Sequence, residues 1–299
     1  MSNRGDVGHR SRGAGDTDLV RIDLHTHSTV SDGTESPAQV MRAAAAAGLD
    51  VVALTDHDSL DGWAEAADAA AGLGLEFVPG LEISCKDGPI SIHMLALWPR
   101  PDDPALAALM GNTRESRIGR AQAIVDNVAR DYALTWEDVL AQAADASTVG
   151  RPHIADALVL RGHFADRTEV FDRVLSNDSP YYVQYGAPDV REVVRVVRAG
   201  GGVPVFAHPG AHARGRIVPD RVIEELVDAG LVGLEVDHRD HSPEQRDRLG
   251  ALAERWGLVR TGSSDYHGAG KVNRLGENLT SVGAYEALVA ARRFSPKMP

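Results

Sequence analysis

The sequence predicts an α/β fold with a largely parallel sheet. Short apolar, β-branched segments recur along the 299 residues, Ala-rich stretches with helical spacing separate several of them, and Gly, Pro or polar residues often bound them. Seven such segments favour a closed or nearly closed barrel, and a doubly wound sheet is the alternative that the pattern leaves open. The strand candidates are Leu19–Leu24, Asp50–Thr55, Leu75–Pro79, Ile90–Leu97, Val203–Ala207, Leu231–Val236 and Leu258–Thr261.

The helices between these strands begin and end at recognisable residues. The first follows Ser36, which is suited to an N-cap, has Pro37 at its first position and ends at Gly48. Four further segments have a similar pattern and are predicted to be helices: Gly62–Gly72, Pro188–Ala199, Pro219–Gly230 and Pro243–Gly257.

The alternation stops between Arg100 and Tyr185, where the pattern is mostly helical. We interpret residues 101–185 as a helical insertion between the fourth and fifth strands of one barrel, which residues 19–100 and 186–285 form. Residues 1–18 and 286–299 are expected to be tails; the first reads as disordered, with a start-site artefact as the alternative. The expected helices of the insertion are Asp103–Arg130, Thr135–Ala144, His153–Arg161 and Thr168–Leu175.

Charge and composition exclude some classes of partner. The formal charge of −12 is unlike that of a non-specific nucleic-acid binder, so no stable binding to duplex nucleic acid is expected. A nucleotide substrate stays compatible, because bound cations would reverse the local sign. The single cysteine, Cys85, and the lack of an apolar run of about 18–20 residues favour a cytoplasmic protein without a membrane partner. Nothing in the sequence indicates a protein partner.

Metal-ligating residue types follow six of the seven predicted strands. Because the carboxyl ends of parallel strands gather on one face, side chains from distant parts of the chain should meet there. The residues concerned are His25 and His27 after the first strand, Asp56 and His57 after the second, Glu82 after the third, His208 after the fifth, His238 after the sixth, and Asp265 and His267 after the seventh.

Local spacing supports a metal site. His25 and His27 are two residues apart, so their side chains point to the same face of a strand. His93 lies inside the fourth strand, and the Gly88-Pro89 turn before it would bring that strand back antiparallel, near Glu82. Imidazoles and carboxylates without a thiolate suit Mn, Fe, Zn or Co, and several carboxylates indicate more than one ion.

These residues resemble the PHP (polymerase and histidinol phosphatase) superfamily over about residues 20–280. The resemblance is greatest to a bacterial stand-alone branch of nucleoside 3′,5′-bisphosphate phosphatases and 5′–3′ oligoribonucleases. The motifs that carry it are Asp23-Leu24-His25-Thr26-His27-Ser28, Ser31-Asp32-Gly33, Thr55-Asp56-His57-Asp58, Gly80-Leu81-Glu82-Ile83, Ala207-His208-Pro209 and Gly262-Ser263-Ser264-Asp265-Tyr266-His267-Gly268, with Ser263 where the family often has Gly. Gly150–Ala155 and Glu235–Ser242 also resemble this branch.

The resemblance implies a distorted seven-stranded (β/α)7 TIM-like barrel and a trinuclear site of divalent ions, with Mn expected and Fe or Zn as alternatives. By this resemblance Glu82 bridges the first and second ions. The implied ligands are His25, His27, Glu82 and Asp265 for the first ion, Glu82, His93 and His208 for the second, and Asp32, His57 and His267 for the third.

We hypothesise that a metal-bridging hydroxide attacks phosphorus in line, with direct catalytic roles for Asp32, His57, His208 and Asp265. The expected substrate is a small phosphate ester or a short RNA, namely a nucleoside 3′,5′-bisphosphate or a 5′-phosphorylated oligoribonucleotide. Histidinol phosphate is the alternative substrate. An amidohydrolase and a non-catalytic, metal-stabilised module are the rival classes.

Residues outside the ligand set are candidates for substrate contact. Arg151 and His153 open a helix whose N-terminus could hold a phosphate, or else they cap and pack that helix. His238 and His241 could line the pocket or donate a proton to the leaving oxygen.

Other polar residues have two open interpretations. Asp23 and Asp56 either orient ligating histidines or make ordinary strand-end hydrogen bonds. Arg114, Arg117 and Arg120 share one helix face, where solvated charge is favoured over a grip on phosphate.

Overall fold

A computed structural model describes residues 20–143, 146–184 and 186–293, and in it seven strands form one sheet in chain order. All neighbouring strands are parallel except the fourth, which is antiparallel to both of its neighbours. The strands are β1 Ile22–Asp23, β2 Val51–Leu54, β3 Glu76–Asp87, β4 Ile90–Leu97, β5 Val203–Phe206, β6 Gly233–Asp237 and β7 Val259–Gly262.

The two edges of the sheet approach each other, so that the sheet is nearly closed. Beyond β1, Thr26 forms a parallel bridge with Tyr266 beyond β7, and the amide of His27 donates to the Tyr266 carbonyl at 2.8 Å. This confirms the predicted seven-stranded, distorted TIM-like barrel rather than a doubly wound sheet.

Ten α-helices surround this barrel in the described part of the chain. The Ser36 hydroxyl accepts from the Gln39 amide while the Gln39 side chain accepts from the Ser36 amide, which fixes the start of the first helix as the sequence predicts. The helices are α1 Pro37–Ala46, α2 Trp63–Leu73, α3 Pro104–Val128, α4 Trp136–Gln142, α5 Arg151–Leu160, α6 Arg167–Val170, α7 Val190–Ala199, α8 Asp220–Ala229, α9 Pro243–Trp256 and α10 Val282–Ala291.

The predicted hairpin is present between β3 and β4, where Ser84 pairs with His93. β3 is longer than the sequence indicates, since its second half pairs with β4 after its first half has paired with β2. Glu82 therefore lies within a strand and does not follow one, and the antiparallel return of β4 places His93 beside it as expected.

The helical insertion has an apolar core of its own. The first half of α3 packs Leu106, Leu109 and Met110 against the outer layer of the barrel. Its second half, with Ile124 and Val128, packs against α4, α5 and the turns that follow. α3 thus ties the insertion to the barrel.

Arg117, at the centre of α3, makes a buried contact with the barrel. It bonds Asp58 at 2.9 Å and the Ser84 hydroxyl at 2.6 Å, while Asp58 also accepts from the Ser84 amide. The solvated charge favoured from sequence is wrong for Arg117, because its partner Asp58 is fully buried. Arg120 bonds the Val183 carbonyl and lies over the Tyr182 ring.

Four segments of the chain lie outside the residues that the structure describes. Residues 1–19, 144–145, 185 and 294–299 are outside the described part, and the expected N-terminal tail falls among them. Residues 286–291, assigned from sequence to a C-terminal tail, belong to α10, where Leu288 is buried.

None of the helices in the described ranges has both the length and the apolar character needed to cross a membrane.

Candidate metal centre

The site lies at the carboxyl ends of the parallel strands, beneath the insertion. A cavity of about 1110 Å³ opens there, with walls from the strand ends, from α3 and α5, and from the loops after β5 and β7. Among the proposed ligands, Asp32, His57, Glu82, His93, His208 and Asp265 line it, and these include the four residues assigned catalytic roles from sequence. His25, His27 and His267 are buried behind them.

Glu82 is the centre of the arrangement, because five imidazoles surround its carboxylate. The side chain is 1% exposed, so these contacts replace water as its environment. One oxygen, Oε2, faces His25 Nε2 at 3.1 Å, His27 Nε2 at 3.0 Å and His57 Nδ1 at 3.4 Å; the other, Oε1, faces His93 Nδ1 at 2.8 Å and His208 Nε2 at 3.1 Å.

Three overlapping groups of side chains offer donor atoms close enough to share an ion, with all donors of a group within 4.8 Å of one another. Glu82, His27 and His57 each belong to two groups. The groups are His25, His27, Glu82 and Asp265; His27, Asp32, His57 and His267; and His57, Glu82 and His93. The third differs from the expected set, since His57 takes the place of His208, although His208 contacts the same Glu82 oxygen as His93.

Several of the candidate ligand atoms lack a suitable hydrogen-bond partner among the other side chains, although they are arranged so that they could bind divalent ions. His25 Nε2 and His27 Nε2 face each other at 3.1 Å, although both are imidazole nitrogens. His57 Nδ1, His93 Nδ1, Asp265 Oδ1 and His267 Nε2 are buried without a hydrogen bond of good geometry in the described part of the chain. Unpaired buried polar atoms are costly, so their convergence indicates that a cation completes the site.

Backbone strain accompanies two of the candidate ligands. His208 has φ 31° and Asp265 has φ 53°, both in the left-handed region that non-glycine residues rarely adopt. Such strain costs about 1–3 kcal/mol at each residue and persists where the surroundings enforce it. Here it turns each side chain from the end of its strand toward Glu82 or the neighbouring histidines.

The titration behaviour reflects this crowding. Burial alone would lower the pKa of His25, but the Glu82, Glu235 and Asp265 carboxylates raise it well above the usual value. The same balance, through Asp265 and Glu82, raises the pKa of His27 to about 9. Burial lowers the pKa of His267 to about 4, with Lys271 and His27 adding to the effect. Protonated and neutral imidazoles therefore lie side by side, where cations would replace protons.

Residues behind the ligands hold them in place. Asp56 accepts from the Ser28 amide, the Ser28 hydroxyl and the Ser31 hydroxyl, and Ser31 Oγ lies 3.4 Å from His27 Nδ1. Asp56 therefore acts on His27 through Ser31. Asp23 accepts from the amides of Ser264 and Gly276, which fixes the loop after β7, and it also bonds the backbone of His25 rather than its ring.

Glu235, a buried carboxylate in the middle of β6, is a supporting residue for which the sequence analysis assigned no role. It lies 3.3 Å from His25 Nδ1, accepts from the His208 amide at 2.7 Å and accepts from the Ser263 hydroxyl. One carboxylate thus orients two candidate ligands. A lone acidic residue inside the apolar segment Leu231–Val236 was the signal that could have revealed it.

We expect Glu235→Gln to lower metal affinity and turnover about 10- to 100-fold, the effect typical of losing a partner behind a metal ligand. The amide keeps the size of the side chain, but its nitrogen cannot accept the bonds that the carboxylate accepts. Titration calorimetry with Mn²⁺ measures the change. The control is Glu254→Gln, an exposed change on α9; equal metal affinity in both variants would contradict a positioning role for Glu235.

Two cations hold Asp265. Arg214 bonds its Oδ2 at 2.5 Å and Lys271 bonds the same oxygen at 3.0 Å, whereas Oδ1 faces His25 and His27 at 3.4 and 3.3 Å. Burial would raise the pKa of Asp265, but Lys271 and Arg214 keep it well below its usual range. Arg214 is fixed in turn by Asp240 at 2.7 Å. The sequence analysis missed both cations, because each lies in an irregular loop whose path no pattern predicts.

The expected substrate residues are placed differently from one another. Arg151 lines the cavity, where it bonds the Leu175 carbonyl and Asn177. His153 is buried, and its Nδ1 accepts from the Gly150 amide at the start of α5, as in the capping alternative.

His238 and His241 lie beneath the cavity wall and do not line it. His238 is fully buried, accepts from the Asp240 amide through Nδ1 and points Nε2 toward Asp265 at 3.6 Å. Both ring nitrogens of His241 are bonded to backbone, one to the Val236 carbonyl and one to the Gly210 amide. His241 therefore serves the backbone of this region in the described structure.

Known proteins resemble this chain over most of its length. The PHP domain model matches residues 23–149. A 3′,5′-nucleoside bisphosphate phosphatase of Chromobacterium violaceum is 35% identical over 86% of this chain and 90% of its own. A phosphoribosyl 1,2-cyclic phosphate 1,2-diphosphodiesterase of Eggerthella lenta is 35% identical over 85% and 97%. A 5′-3′ exoribonuclease of Haemophilus influenzae is 30% identical over 88% and 95%.

A solved structure extends this similarity to three dimensions. A chain from Bifidobacterium adolescentis, described as a metal-dependent phosphoesterase, superimposes with a TM-score of 0.89 at 40% identity. The match covers 91% of this chain and 96% of that one. It therefore includes both the barrel and the insertion.

Proposed function

The chain belongs to the PHP domain family of metal-dependent phosphoesterases, and we propose that it hydrolyses a phosphate ester of a nucleotide. The proposed substrates are a nucleoside 3′,5′-bisphosphate and a 5′-phosphorylated oligoribonucleotide, the two kinds of substrate that its relatives' names indicate. The observation that carries the proposal is the convergence of buried histidines on Glu82 beside a cavity with basic side chains. These relatives favour the nucleotide reading over histidinol phosphate and over an amidohydrolase.

We further propose that the nine candidate ligands hold three divalent ions, with Mn²⁺ expected and Fe or Zn as alternatives. The overlap of three donor groups at Glu82 and His27 supports more than one ion. His57 and His208 both contact Glu82, and either could complete the set with His93. When bound, the ions would supply Lewis-acid stabilisation of the phosphoryl group and a water activated at neutral pH.

The chain's own residues would orient the substrate. Arg214 and Lys271 place positive charge at the cavity wall beside Asp265, where a phosphate oxygen would be stabilised. Arg151 adds a third cation from the insertion side of the same cavity. Asn177 bonds both Arg151 and the Arg214 carbonyl, so these cations belong to one continuous basic part of the cavity, which suits a phosphate ester.

His238 is placed to hold a proton near the site. Its Nδ1 accepts from a backbone amide, so in the neutral ring the proton lies on Nε2, which faces Asp265 Oδ2. We assign His238 the role of fixing Asp265 rather than contact with substrate, because it does not line the cavity.

A second candidate substrate is phosphoribosyl 1,2-cyclic phosphate. The E. lenta relative named for that activity is as similar in identity as the nucleoside bisphosphate phosphatase and is covered over 97% of its length. It differs chemically from the first proposal, because the cyclic phosphoribosyl compound carries no nucleobase.

A substrate panel tests the proposal. The Mn-loaded protein is assayed for phosphate release or for hydrolysis of a phosphodiester bond. The panel contains adenosine 3′,5′-bisphosphate, a 5′-phosphorylated oligoribonucleotide, phosphoribosyl 1,2-cyclic phosphate, AMP and histidinol phosphate. We expect turnover of the bisphosphate or the oligonucleotide, and loss of that turnover on chelation. Turnover of the cyclic compound alone, of histidinol phosphate alone, or of nothing in the panel would overturn the nucleotide proposal.

A further inference from the structure

The cavity includes apolar side chains that phosphate chemistry does not need. Ile124, Val149, Phe171 and Leu175 line it from the insertion, interspersed with charged residues such as Arg151 and Asp172. At about 1110 Å³ it is as large as the sites that enclose whole organic ligands, and far larger than one phosphate group requires. The insertion therefore offers apolar surface for the body of a substrate beside groups that can bind its phosphate.

Phe171 lies in an unusual backbone conformation on this side of the cavity. It begins a single π-helical turn, Phe171–Leu175, directly after α6. Such turns are rare and are frequent at functional sites, because the extra residue redirects the side chains of the turn. The ring is half-buried, so one part packs on the core of the insertion and another part lines the cavity.

A cation is fixed over the same ring. The Arg151 guanidinium lies 5.6 Å from the centre of the Phe171 ring and is anchored by the Leu175 carbonyl and Asn177. An anchored guanidinium immobilises the ring by a cation–π contact and offers a charge for a phosphate beside it. The guanidinium takes one face of the ring, and the part of the ring that lines the cavity lies next to this phosphate-binding group.

The barrel contributes an apolar side chain to the same cavity. Val272, in the loop after β7, is 76% exposed and follows Lys271 directly. The loop touches the insertion at Gly270, where any side chain would collide with the Arg167 guanidinium of α6. Arg167 is held by Asp156 and by the Asp32 carbonyl, so this contact is part of the cavity wall.

We propose that Phe171 is a stacking platform for the nucleobase of the substrate. This inference rests on the proposed function and narrows its substrate class: a ligand with a base gains binding energy at Phe171, whereas a bare phosphoribose does not. Stacking of a base on an aromatic ring is sequence-tolerant, because every base has a π-face. The platform would therefore distinguish a nucleotide from phosphoribosyl 1,2-cyclic phosphate, and not one base from another.

Binding of a matched pair of ligands tests the platform without relying on turnover. AMP and ribose 5-phosphate share the sugar and the 5′-phosphate and differ in the base, and titration calorimetry on the Mn-loaded protein gives both affinities. We expect Phe171→Leu to weaken the binding of AMP about 5- to 100-fold, the range typical of a lost stacking contact. The affinity for ribose 5-phosphate should stay within about twofold, because an apolar side chain of similar size remains.

Two further variants make the test specific. Phe171→Trp should keep the preference for AMP, because it restores an aromatic face. Phe164→Leu, a buried change in the core of the insertion away from the cavity, should leave both affinities unchanged. Equal weakening of both ligands by Phe171→Leu, no weakening of either, or a wild-type protein that does not bind AMP more tightly than ribose 5-phosphate would each overturn the inference.

The outcome separates this inference from the proposed function. Base-dependent AMP binding without turnover in the substrate panel would retain the platform and reject nucleotide hydrolysis. Turnover of adenosine 3′,5′-bisphosphate with base-independent binding would retain the hydrolysis and reject the platform.

Discussion

Glu82→Gln is expected to abolish phosphoesterase turnover and to remove most of the bound metal, the largest single effect anywhere in the site. Five imidazoles face the Glu82 carboxylate, and two of the three donor groups depend on it. Glutamine keeps the shape but offers one neutral oxygen and a nitrogen that cannot coordinate. We expect a loss greater than the 10- to 100-fold that follows removal of a residue behind a ligand.

The measurement is metal content after dialysis, by elemental analysis, alongside turnover. Glu76→Gln is the matched control, since Glu76 begins the same strand and is exposed, with the Tyr285 hydroxyl as its partner. Circular dichroism establishes that both variants are folded. Full metal content in Glu82→Gln would contradict the central position given to this carboxylate.

The second large effect is expected on stability. Removal of the ions should lower the melting temperature by about 10 °C, because ligand present at 1,000 times its dissociation constant stabilises a protein by about 4.1 kcal/mol. The buried nitrogens and the Asp265 oxygen that lack good hydrogen bonds make the ion-free site costly to keep folded.

Differential scanning calorimetry of chelator-treated protein, titrated with Mn²⁺, measures this effect. The gain should saturate with added ion and should be smaller at pH 5 than at pH 8, because ligating histidines must lose their protons. Glu82→Gln, folded but without its central carboxylate, should show almost no gain. If added Mn²⁺ did not change the melting temperature of the wild-type protein, the prediction that metal ions stabilise the fold would be wrong.

The barrel could be predicted from sequence because its strands are short, apolar and followed by unusual residue types. The spacing of His25 and His27 predicted that their side chains meet, although both residues follow the two-residue strand β1, and the Gly88-Pro89 turn located His93. The position of Glu82 was less accurate, because the second half of β3 is defined only by its pairing with β4. The Gly88-Pro89 turn indicates that pairing, but the local pattern does not give the length of the paired segment.

Residues that depend on loop paths were harder to predict. Arg214 and Lys271 reach Asp265 from loops 51 and 6 residues away in sequence, and neither spacing suggests a contact. Arg117 looked like a solvated charge because the sequence does not show that Asp58 lies buried beside it. His153 has the residue type of a ligand and acts as a helix cap, since its ring is used by the Gly150 amide.

The reversed direction of β4 has a consequence for how the pocket can diversify. The chain leaves β4 at the end of the barrel opposite the metal centre, where Pro99 packs against Gly202 and Asp103 against Gly200. α3 then runs along the outside of the barrel for 25 residues, about 37 Å, toward the carboxyl ends of the parallel strands, where the rest of the insertion lies. The length of α3 sets the distance between the barrel and the rest of the insertion. Each added or deleted helical turn would change that distance by about 5.4 Å. A change in the length of α3 would thus alter the depth of the pocket while the candidate ligands at the strand ends keep their positions.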